Sequence, residues 1–411
     1  MRILYVTSTY PEDLPNSRNG VHQRMKMFMQ TINAFSELDI LFYVNPLLEI
    51  SPERAARMEK MLLEHWNCRA RVFLSPKSRQ MTVNLPPKFP FGSSIKDWWF
   101  VHPFCYVVAG REQLASFEAC LDRKPDAVFV HRLYAVSPVL SSRKTVPPVY
   151  FDLDDIEHRA FIRTVRQPPY WRSKFLQYLK VPSLVWLERR AMKLARKTFV
   201  CSEIDRNYLK KTWRLPGVVA VPNAIDIPPV HEPPVHPSFL FLGTYNYRPN
   251  VVAADYLVKT IWPVIKRELP EARLILAGEQ PENLECYHEQ HDGVEIRGFV
   301  ADLEQLYRDV RVVCCPIQAG GGTRIKIIEA AAYGKAIVST SLGAEGLAFV
   351  DGQEILLKDQ SDSFARACID LASDSSLCGR LGEAARAKSI VNYSRTSSMD
   401  IIRAELQPIA C

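Results

Sequence analysis

The sequence lacks the short signatures of several common protein classes. Its ten cysteines include no CxxC pair and no metal-ligand spacing, so we expect reduced thiols and a cytoplasmic location. No GxGxxG follows the first apolar run, which argues against a dinucleotide oxidoreductase, and no Walker A motif occurs. The N-terminus has the pattern of a first strand and not of a signal peptide. The most apolar window, Trp98–Ala109, is interrupted by His102 and Pro103 and is too short to cross a bilayer.

The bulk composition is that of a globular protein with more than one core. The chain has 411 residues, of which 47% are hydrophobic and 24% are charged, and this length favours two domains without long disorder. The net charge of +7 suggests an anionic ligand or surface. It is too small to indicate nucleic acid, and we expect no nucleic-acid partner.

Short apolar runs alternate with amphipathic stretches on both sides of a proline-rich segment at residues 222–237. This rhythm predicts an α/β fold of parallel strands covered by helices. The predicted strands are Ile3–Val6, Leu38–Val44, Arg71–Leu74, Ala127–Val130, Val149–Asp154, Thr198–Ser202, Phe239–Leu242, Leu274–Ala277, Val294–Arg297, Val310–Cys315, Ala336–Thr340 and Ile355–Leu357. The predicted helices include His22–Phe35, Pro52–His65, Arg111–Asp122, Leu184–Ala195, Val251–Leu269, Leu303–Arg308, Thr323–Tyr333, Ser363–Ala372 and Ser376–Ser389.

The proline-rich segment "PNAIDIPPVHEPPVHP" has six prolines in sixteen residues. A segment of this composition can neither pair in a central strand nor continue a helix. We therefore predict two doubly wound, Rossmann-like domains facing a cleft, with ligands at the carboxyl ends of the strands. The predicted boundaries are 1–225 for an acceptor-side domain, 226–237 for a linker, 238–392 for a donor domain and 393–411 for a helix that crosses back.

The segment "CCPIQAGGGTRIKIIEAAAYGKAIVST" joins an apolar run to a helix through three glycines. Glycine lets a phosphate approach the backbone, and free amides before a helix favour an anion. Arg324 and Lys326 would oppose the helix dipole, so helix stability does not explain them. Glu329 could accept two hydrogen bonds from a ribose diol. The alternative is a flexible turn and a solvated helix; we favour a ligand at Gly320, Gly321 and Gly322.

This segment resembles the signature region of GT-B-fold retaining glycosyltransferases of family 4, the glycosyl transferases group 1. Glu329 matches the second glutamate of the family's E-x7-E motif, while Gly321 stands at the place of the first. The branch with "GGTR.K..EA" also lacks that first glutamate. The resemblance implies a nucleotide-sugar donor, no metal and no cofactor. It assigns Thr323 and the three glycines to donor binding, and Arg324 and Lys326 to stabilisation of the leaving diphosphate.

The resemblance extends along most of the chain. "VPNAID" is similar to the family's hinge, and "FLFLGTYNYRPNVVAADYL" to the first strand and loop of the donor domain, which would place Gly243 and Arg248 near the diphosphate. By the same resemblance, the backbone of Arg297, Gly298 and Phe299 would contact the base.

Two residues of the first half could join the site. Gly20 opens the first predicted helix, where the family has a glycine loop facing the donor; alone, it would indicate only a turn. His131 follows a predicted strand, at the place of a family histidine that contacts the donor sugar. Without the resemblance, a single histidine here would be a structural hydrogen-bonding residue.

The acids in "VYFDLDDIEHRAF" leave two interpretations. Asp152 and Asp154 form an Asp-x-Asp pattern that suggests a divalent metal on a diphosphate. Alternatively, the acids cap the start of a helix. The two-domain pattern favours the cap, and we predict no metal site.

Residues 158–197 hold eleven Lys or Arg against one acid, Glu188, with aromatic residues interleaved. Two interpretations stay open: packing under a loop, or contact with a membrane surface or a lipid-phosphate acceptor.

The resemblance implies a retaining glycosyltransferase of polysaccharide, glycolipid or other glycoconjugate biosynthesis, with a nucleotide sugar as donor and a carbohydrate or lipid-linked acceptor. His131, Arg248, Arg324 and Lys326 are the predicted catalytic residues. The alternatives are a sugar-nucleotide epimerase on the same fold and a non-catalytic protein that binds nucleotide sugars.

Overall fold

Two parallel β-sheets organise the computed structural model, which describes residues 1–15, 19–77, 109–166, 170, 174–232 and 234–407. The chain divides into two compact units: Met1–Val221 together with the chain from Met399 onward, and Pro222–Ser398. The predicted linker 226–237 falls in the second unit. The apolar window Trp98–Ala109 lies, apart from its last residue, outside the described residues.

The first unit is built on a seven-stranded sheet in the order β3-β2-β1-β4-β5-β6-β7. Its strands are β1 (Arg2–Thr7), β2 (Glu37–Val44), β3 (Ala70–Pro76), β4 (Ala127–His131), β5 (Val149–Asp154), β6 (Ala195–Val200) and β7 (Val218–Ala220). Its helices are α1 (Gly20–Asn33), α2 (Pro52–Trp66), α3 (Arg111–Leu121), α4 (Ser137–Ser141), α5 (Glu157–Val165), α6 (Val181–Leu194) and α7 (Glu203–Trp213). Short 3-10 helices span Leu133–Ala135 and Lys174–Lys180.

The second unit has six strands in the order β10-β9-β8-β11-β12-β13. They are β8 (Ser238–Leu242), β9 (Arg273–Ala277), β10 (Val294–Arg297), β11 (Val312–Cys315), β12 (Ala336–Ser339) and β13 (Leu356–Leu357). The helices are α8 (Arg248–Tyr256), α9 (Trp262–Glu268), α10 (Leu303–Arg308), α11 (Ile325–Ala332), α12 (Ser361–Ser373), α13 (Ser375–Tyr393) and α14 (Arg395–Leu406), with 3-10 turns at Pro281–Asn283 and Glu285–His288. The last helix ends in the first unit, where Lys197 Nζ lies 2.7 Å from Glu405 Oε2.

The predicted fold of two doubly wound α/β sheets is confirmed. Every residue of β2 after Glu37 is buried, as expected for a parallel strand with helices on both faces. Helix α2 begins where Ser51 Oγ accepts from the amide of Arg54, with Pro52 in the first turn, and ends at Asn67 in the left-handed conformation. No helix in the described part of the chain combines the length and the apolarity needed to cross a bilayer.

Two differences between the observed and the predicted elements have local causes. Ser202 was predicted as strand but caps helix α7, because its hydroxyl accepts from the amide of Asp205 at 3.1 Å. The helix predicted over Val251–Leu269 contains a π-helical turn at Leu257–Ile261. Pro263 has no N–H to donate to the carbonyl of Lys259, so the regular hydrogen-bond ladder cannot continue through this turn.

Candidate functional site

The carboxyl ends of β8 and β11 form the switch point of the second unit's sheet. Strand order runs outward from β8 through β9 and β10 on one side, and through β11 and β12 on the other. In such sheets, the loops that leave the two central strands diverge and leave room for a ligand. Most of the predicted donor residues follow these two strands, and their contact with a donor stays a prediction.

Gly243 and Gly278 follow the neighbouring strands β8 and β9 and are packed backbone to backbone. Gly278 has φ +149°, and a Cβ atom on it would lie 1.7 Å from the carbonyl oxygen of Gly243. A Cβ on Gly243 would lie 2.9 Å from Lys326 Nζ. Gly278 therefore requires glycine, and the backbone after β8 is brought directly against a cationic side chain.

Lys326 extends from helix α11 across the switch point. Its Nζ donates to Asn250 Oδ1 at 2.8 Å and lies 4.2 Å from the centre of the Phe241 ring. Asn250 is held in turn, since its Nδ2 donates to the carbonyl of Thr244 at 2.9 Å. Loss of hydration lowers the pKa of the Lys326 ammonium to about 8. An anion bound near Nζ would favour the charged form of the Lys326 ammonium, which burial disfavours.

The three glycines form the turn between β11 and α11. Gly320 and Gly322 have φ values of +100° and +68°, and a Cβ on Gly320 would lie 2.5 Å from the hydroxyl of Tyr247. The helix begins at Ile325, two residues after the predicted start, so the glycines precede its first turn. Arg324 donates to the carbonyls of Ala319, Gly321 and Gly322. Its guanidinium thus closes the turn, and its predicted contact with a diphosphate stays a prediction.

Glu329 lies one turn after Lys326, with its side chain half-buried. The hydroxyl of Tyr307 donates to Glu329 Oε2 at 3.4 Å, and the Tyr307 ring stacks on Tyr333 with centroids 4.3 Å apart. The carboxylate is thereby held by a buried phenol. A carboxylate is a hydrogen-bond acceptor only, which is the chemistry that a ribose diol requires, and the predicted ribose contact of Glu329 stays a prediction.

The remaining predicted donor residues of this unit have simpler surroundings. Thr323 Oγ1 accepts from Asn223 Nδ2 at 3.0 Å. Arg248 is an exposed residue in the first turn of α8. Arg297 forms a bidentate pair with Glu295 at 2.7 and 3.0 Å. The Gly298 carbonyl accepts from the Gly278 amide at 3.1 Å, and Phe299 has an exposed fraction of 43%.

The switch point of the first unit lies between β1 and β4, where Thr7 pairs with His131. Gly20 is the first residue of α1, the helix that follows β1, and Asn19 caps that helix by accepting from the amide of His22. Burial, assisted by the nearby His131, lowers the pKa of His22 to about 4. Gly20 and His131 therefore lie on either side of this switch point, and their roles in ligand binding stay predictions.

His131 is fully buried and is held by one carboxylate. Its Nδ1 lies 3.0 Å from Asp152 Oδ2, whereas Nε2 has no hydrogen-bond partner among the described residues. Asp152 also accepts from Nε and Nη2 of Arg24, which is fully buried as well. Although burial opposes it, Arg24 and His131 hold the pKa of Asp152 below its ordinary value. An ionised carboxylate only accepts, so the His131 proton resides on Nδ1.

Two further acids at or after the end of β5, Asp154 and Glu157, are paired with arginine. Asp154, Asp155 and Cys201 place one possible metal-ligand atom each within 4.8 Å of one another. However, Asp154 pairs with Arg24 at 3.4 Å and with Arg132 at 4.0 Å. Burial raises the pKa of Cys201 well above its ordinary value, which keeps a protonated thiol that is a poor ligand. This donor set does not suit a divalent metal on a diphosphate.

The sequence-based prediction missed three residues that position the candidate site, and it considered a fourth, Asp152, only as a metal ligand or a helix cap. Asn250 and Tyr307 hold Lys326 and Glu329, whereas Asp152 and Arg24 hold His131. Asn250 lies in the quoted stretch "YNYRPNVV" but gives no signal by itself. A basic residue inside the apolar helix pattern "RMKMFMQ" was the available hint for Arg24, because buried arginine requires a carboxylate partner.

Comparison with known proteins relates part of the chain to glycosyltransferases. Residues 236–374, about a third of the chain, match the family described as "Glycosyl transferases group 1". An "Uncharacterized 44.6 kDa protein in cps region" of Klebsiella pneumoniae is 23% identical over 165 residues, covering 36% of this chain and 42% of that protein. The "Phosphatidyl-myo-inositol mannosyltransferase" of Mycolicibacterium smegmatis is 26% identical over 201 residues, covering 45% and 51%. The chain thus spans about half the length of these curated relatives.

Solved structures share the fold over the whole chain. Sucrose-phosphate synthase from Thermosynechococcus elongatus superposes with a TM-score of 0.67, 14% identity and full coverage of both chains (100% each). Anabaena Alr3699/HepE, solved in complex with UDP-glucose, gives 0.63 and 14%, covering 99% of this chain and 100% of that chain. At this identity the likeness concerns the fold alone. This likeness confirms the predicted GT-B fold class.

Proposed function

We propose that the chain is a glycosyltransferase that moves a sugar from a nucleotide-diphosphate sugar to an acceptor hydroxyl. The proposal rests on the position of Lys326. Its partly buried ammonium lies at the switch point against Gly243 and Asn250. A diphosphate leaving group needs positive charge and close backbone approach at one place. The match of residues 236–374 to the glycosyl transferases group 1 supports the same activity.

The predicted residues receive distinct roles in this proposal. Lys326 stabilises the leaving diphosphate, with Arg248, Arg324 and the amides of Gly320–Gly322 contributing. Glu329 holds the ribose, and the backbone of 297–299 meets the base. His131 is assigned to orientation of the sugar through Nε2, the nitrogen that makes no hydrogen bond to the described residues.

Retention and metal independence are further parts of the proposal. The resemblance to family 4 implies retention without a metal, by front-face transfer in which the donor phosphate serves as base for the acceptor hydroxyl. The pairing of Asp154 with two arginines supports a reaction that uses no metal at this position. No cofactor is required, since the nucleotide sugar carries the leaving group.

The acceptor side is proposed as a carbohydrate or lipid-linked glycoconjugate. The two curated relatives support it, because one is named for a cps region and the other transfers mannose to phosphatidyl-myo-inositol by its name. We propose a cytoplasmic location with peripheral membrane contact through residues 158–197.

A ligand screen tests the donor assignment. The melting temperature of the protein is followed with nucleoside diphosphates and their sugars, since a bound ligand stabilises the folded state by mass action. We expect a rise with at least one nucleoside diphosphate, which Lys326→Met abolishes. Lys259→Met is the matched control, because that ammonium pairs with Glu285 at 3.3 Å. Equal shifts in both variants would exclude Lys326 from the donor site.

Product analysis separates the proposed transfer from its rivals. A transferase forms glycosylated acceptor from the bound donor. An epimerase would convert the nucleotide sugar without an acceptor, and a non-catalytic protein would bind it without turnover across an acceptor panel. Activity that EDTA removes would instead implicate a metal at Asp152 and Asp154.

A further inference from the structure

Among the described residues of the first unit, the exposed aromatic residues are confined to one segment. In the described part of this unit, every exposed Phe, Tyr or Trp lies between residues 170 and 186. These are Tyr170, Phe175, Tyr178 and Trp186, with exposed fractions of 73%, 65%, 39% and 50%. Leu179 and Leu194 are also exposed, at 49% and 43%. Aromatic side chains are normally buried in a soluble unit, so their concentration here indicates a surface that contacts something else.

Helix α6 turns a cationic face to solvent beside these rings. Pro182, Trp186, Arg189, Arg190 and Lys193 are exposed and share one face by helical spacing, whereas Leu184, Leu187, Ala191 and Met192 are buried on the other. Arg190 lies over the Trp186 ring at 5.3 Å. Arg189, Arg190 and Lys193 form no ion pair with a carboxylate of the described residues.

The same segment presents no acid of its own. Its one carboxylate, Glu188, is fully buried and hydrogen-bonded to the ring and amide of His158. Lys197 pairs with Glu405 at 2.7 Å and is therefore not part of the free cationic face. The 3-10 helix Lys174–Lys180 and helix α5 pack against α6, so the exposed groups belong to one folded surface.

We propose that this surface, Tyr170 with Phe175–Lys193, docks on an anionic lipid bilayer. Aromatic rings lie at the headgroup level of bilayers, and each cation near an anionic leaflet adds to the attraction. Charge complementarity selects an anionic surface, and the exposed rings favour a lipid over a soluble anion. The inference deepens the proposed function, since it specifies where a lipid-linked acceptor is reached. Its test does not depend on turnover.

Vesicle sedimentation tests the docking surface with the full chain. Vesicles of phosphatidylcholine alone are compared with vesicles that also contain phosphatidylglycerol. We expect the protein to pellet with the anionic vesicles and to be released by salt. The triple variant Arg189→Gln/Arg190→Gln/Lys193→Gln should bind roughly a hundredfold more weakly. Phe175→Ala/Trp186→Ala should lose roughly tenfold from the lost insertion of rings.

Matched controls keep this test specific. Lys210→Gln/Lys211→Gln removes two exposed cations from helix α7, and Leu47→Ala removes an apolar side chain that is 93% exposed. Both should bind anionic vesicles like the unmodified chain. Failure of the unmodified chain to pellet would overturn the proposal, as would equal loss in the control variants. Inorganic phosphate is also compared with chloride at an ionic strength at which chloride does not release the protein. Release by phosphate under these conditions would indicate a soluble-phosphate site and would overturn the proposal. The nucleotide screen remains interpretable in each case.

Discussion

The carboxylate of Asp152 fixes His131, with Oδ2 lying 3.0 Å from the imidazole Nδ1. Two neighbouring strands carry the pair, because β4 ends at His131 and β5 places Asp152 directly beside it. Arg24 approaches the same carboxylate from helix α1. The structure thus sets which imidazole nitrogen holds the proton, and it leaves Nε2 as an acceptor.

Asp152→Asn should reverse the tautomer of His131. Arg24 donates to Oδ1, so it will orient the amide oxygen of the variant toward itself and turn the NH2 toward Nδ1. The proton then moves to Nε2. Nitrogen NMR of the imidazole measures this change directly, and transfer activity should fall by roughly a hundredfold or more if Nε2 accepts from the sugar. An unchanged tautomer in the variant would contradict the assignment.

Removing Arg24 should destabilise the fold strongly. Arg24→Met leaves a buried carboxylate with fewer partners, and breaking a buried ion pair costs about 3–5 kcal/mol. Arg2→Met is the control: its pair with Glu37, at 2.8 Å, is solvent-accessible and should contribute much less to stability. Urea unfolding measures both. The depressed pKa of Asp152 means that its stabilisation is present above the unfolded value near 4, so acid should remove it as pH falls through the folded pKa.

The sequence predicted the sheets and the glycine turn better than the contacts that hold the site. Buried parallel strands are continuous apolar runs, so β2, β9 and β11 could be predicted from local pattern. The partners of Lys326 and His131 could not, because Asn250 and Asp152 are 76 and 21 residues away. Which polar groups meet there depends on strand order, and that order is a property of the whole sheet.

Arg324 illustrates the same limit at short range. Its position after the glycines suggested a ligand contact, yet its donors reach three carbonyls of its own turn. Gly320 and Gly322 have positive φ values, so the backbone turns in a way that sequence spacing does not specify. The glycine turn before the helix could therefore be predicted from the sequence, whereas the carbonyl contacts of Arg324 could not.

Gly278→Ala should disrupt the loops after β8 and β9. The new Cβ would overlap the carbonyl of Gly243 at 1.7 Å, in a backbone conformation that alanine rarely adopts. We expect a loss of about 2–4 kcal/mol of stability by urea unfolding and a matching loss of nucleotide binding. Gly379→Ala is the control. That glycine lies within α13 with nothing within 4 Å of its Cβ position, so alanine should stabilise by up to about 1 kcal/mol.

The Tyr307–Glu329 hydrogen bond should matter for ribose recognition. Tyr307→Phe removes the donor to Oε2 while keeping the ring stacked on Tyr333. We expect nucleoside diphosphate affinity to fall by roughly threefold to tenfold, since a hydrogen bond to a charged group contributes about 1.5 kcal/mol or somewhat less when long. Glu329→Ala should lose more, and it should bind a 2′-deoxynucleotide and the ribonucleotide equally. A persistent preference for the ribonucleotide in Glu329→Ala would argue against the ribose role.

Nucleotide affinity should decline above pH 8 because of Lys326. Loss of hydration lowers the pKa of this ammonium to about 8, so the free protein deprotonates it as pH rises through that value. A bound diphosphate favours the charged form, so each pH unit above 8 should weaken binding by up to about tenfold until the pKa of the complex is reached. Calorimetry between pH 7 and about 9.5 measures the slope. Lys326→Arg keeps its charge throughout this range and should bind with little pH dependence. A slope that persists in Lys326→Arg would locate the titrating group elsewhere.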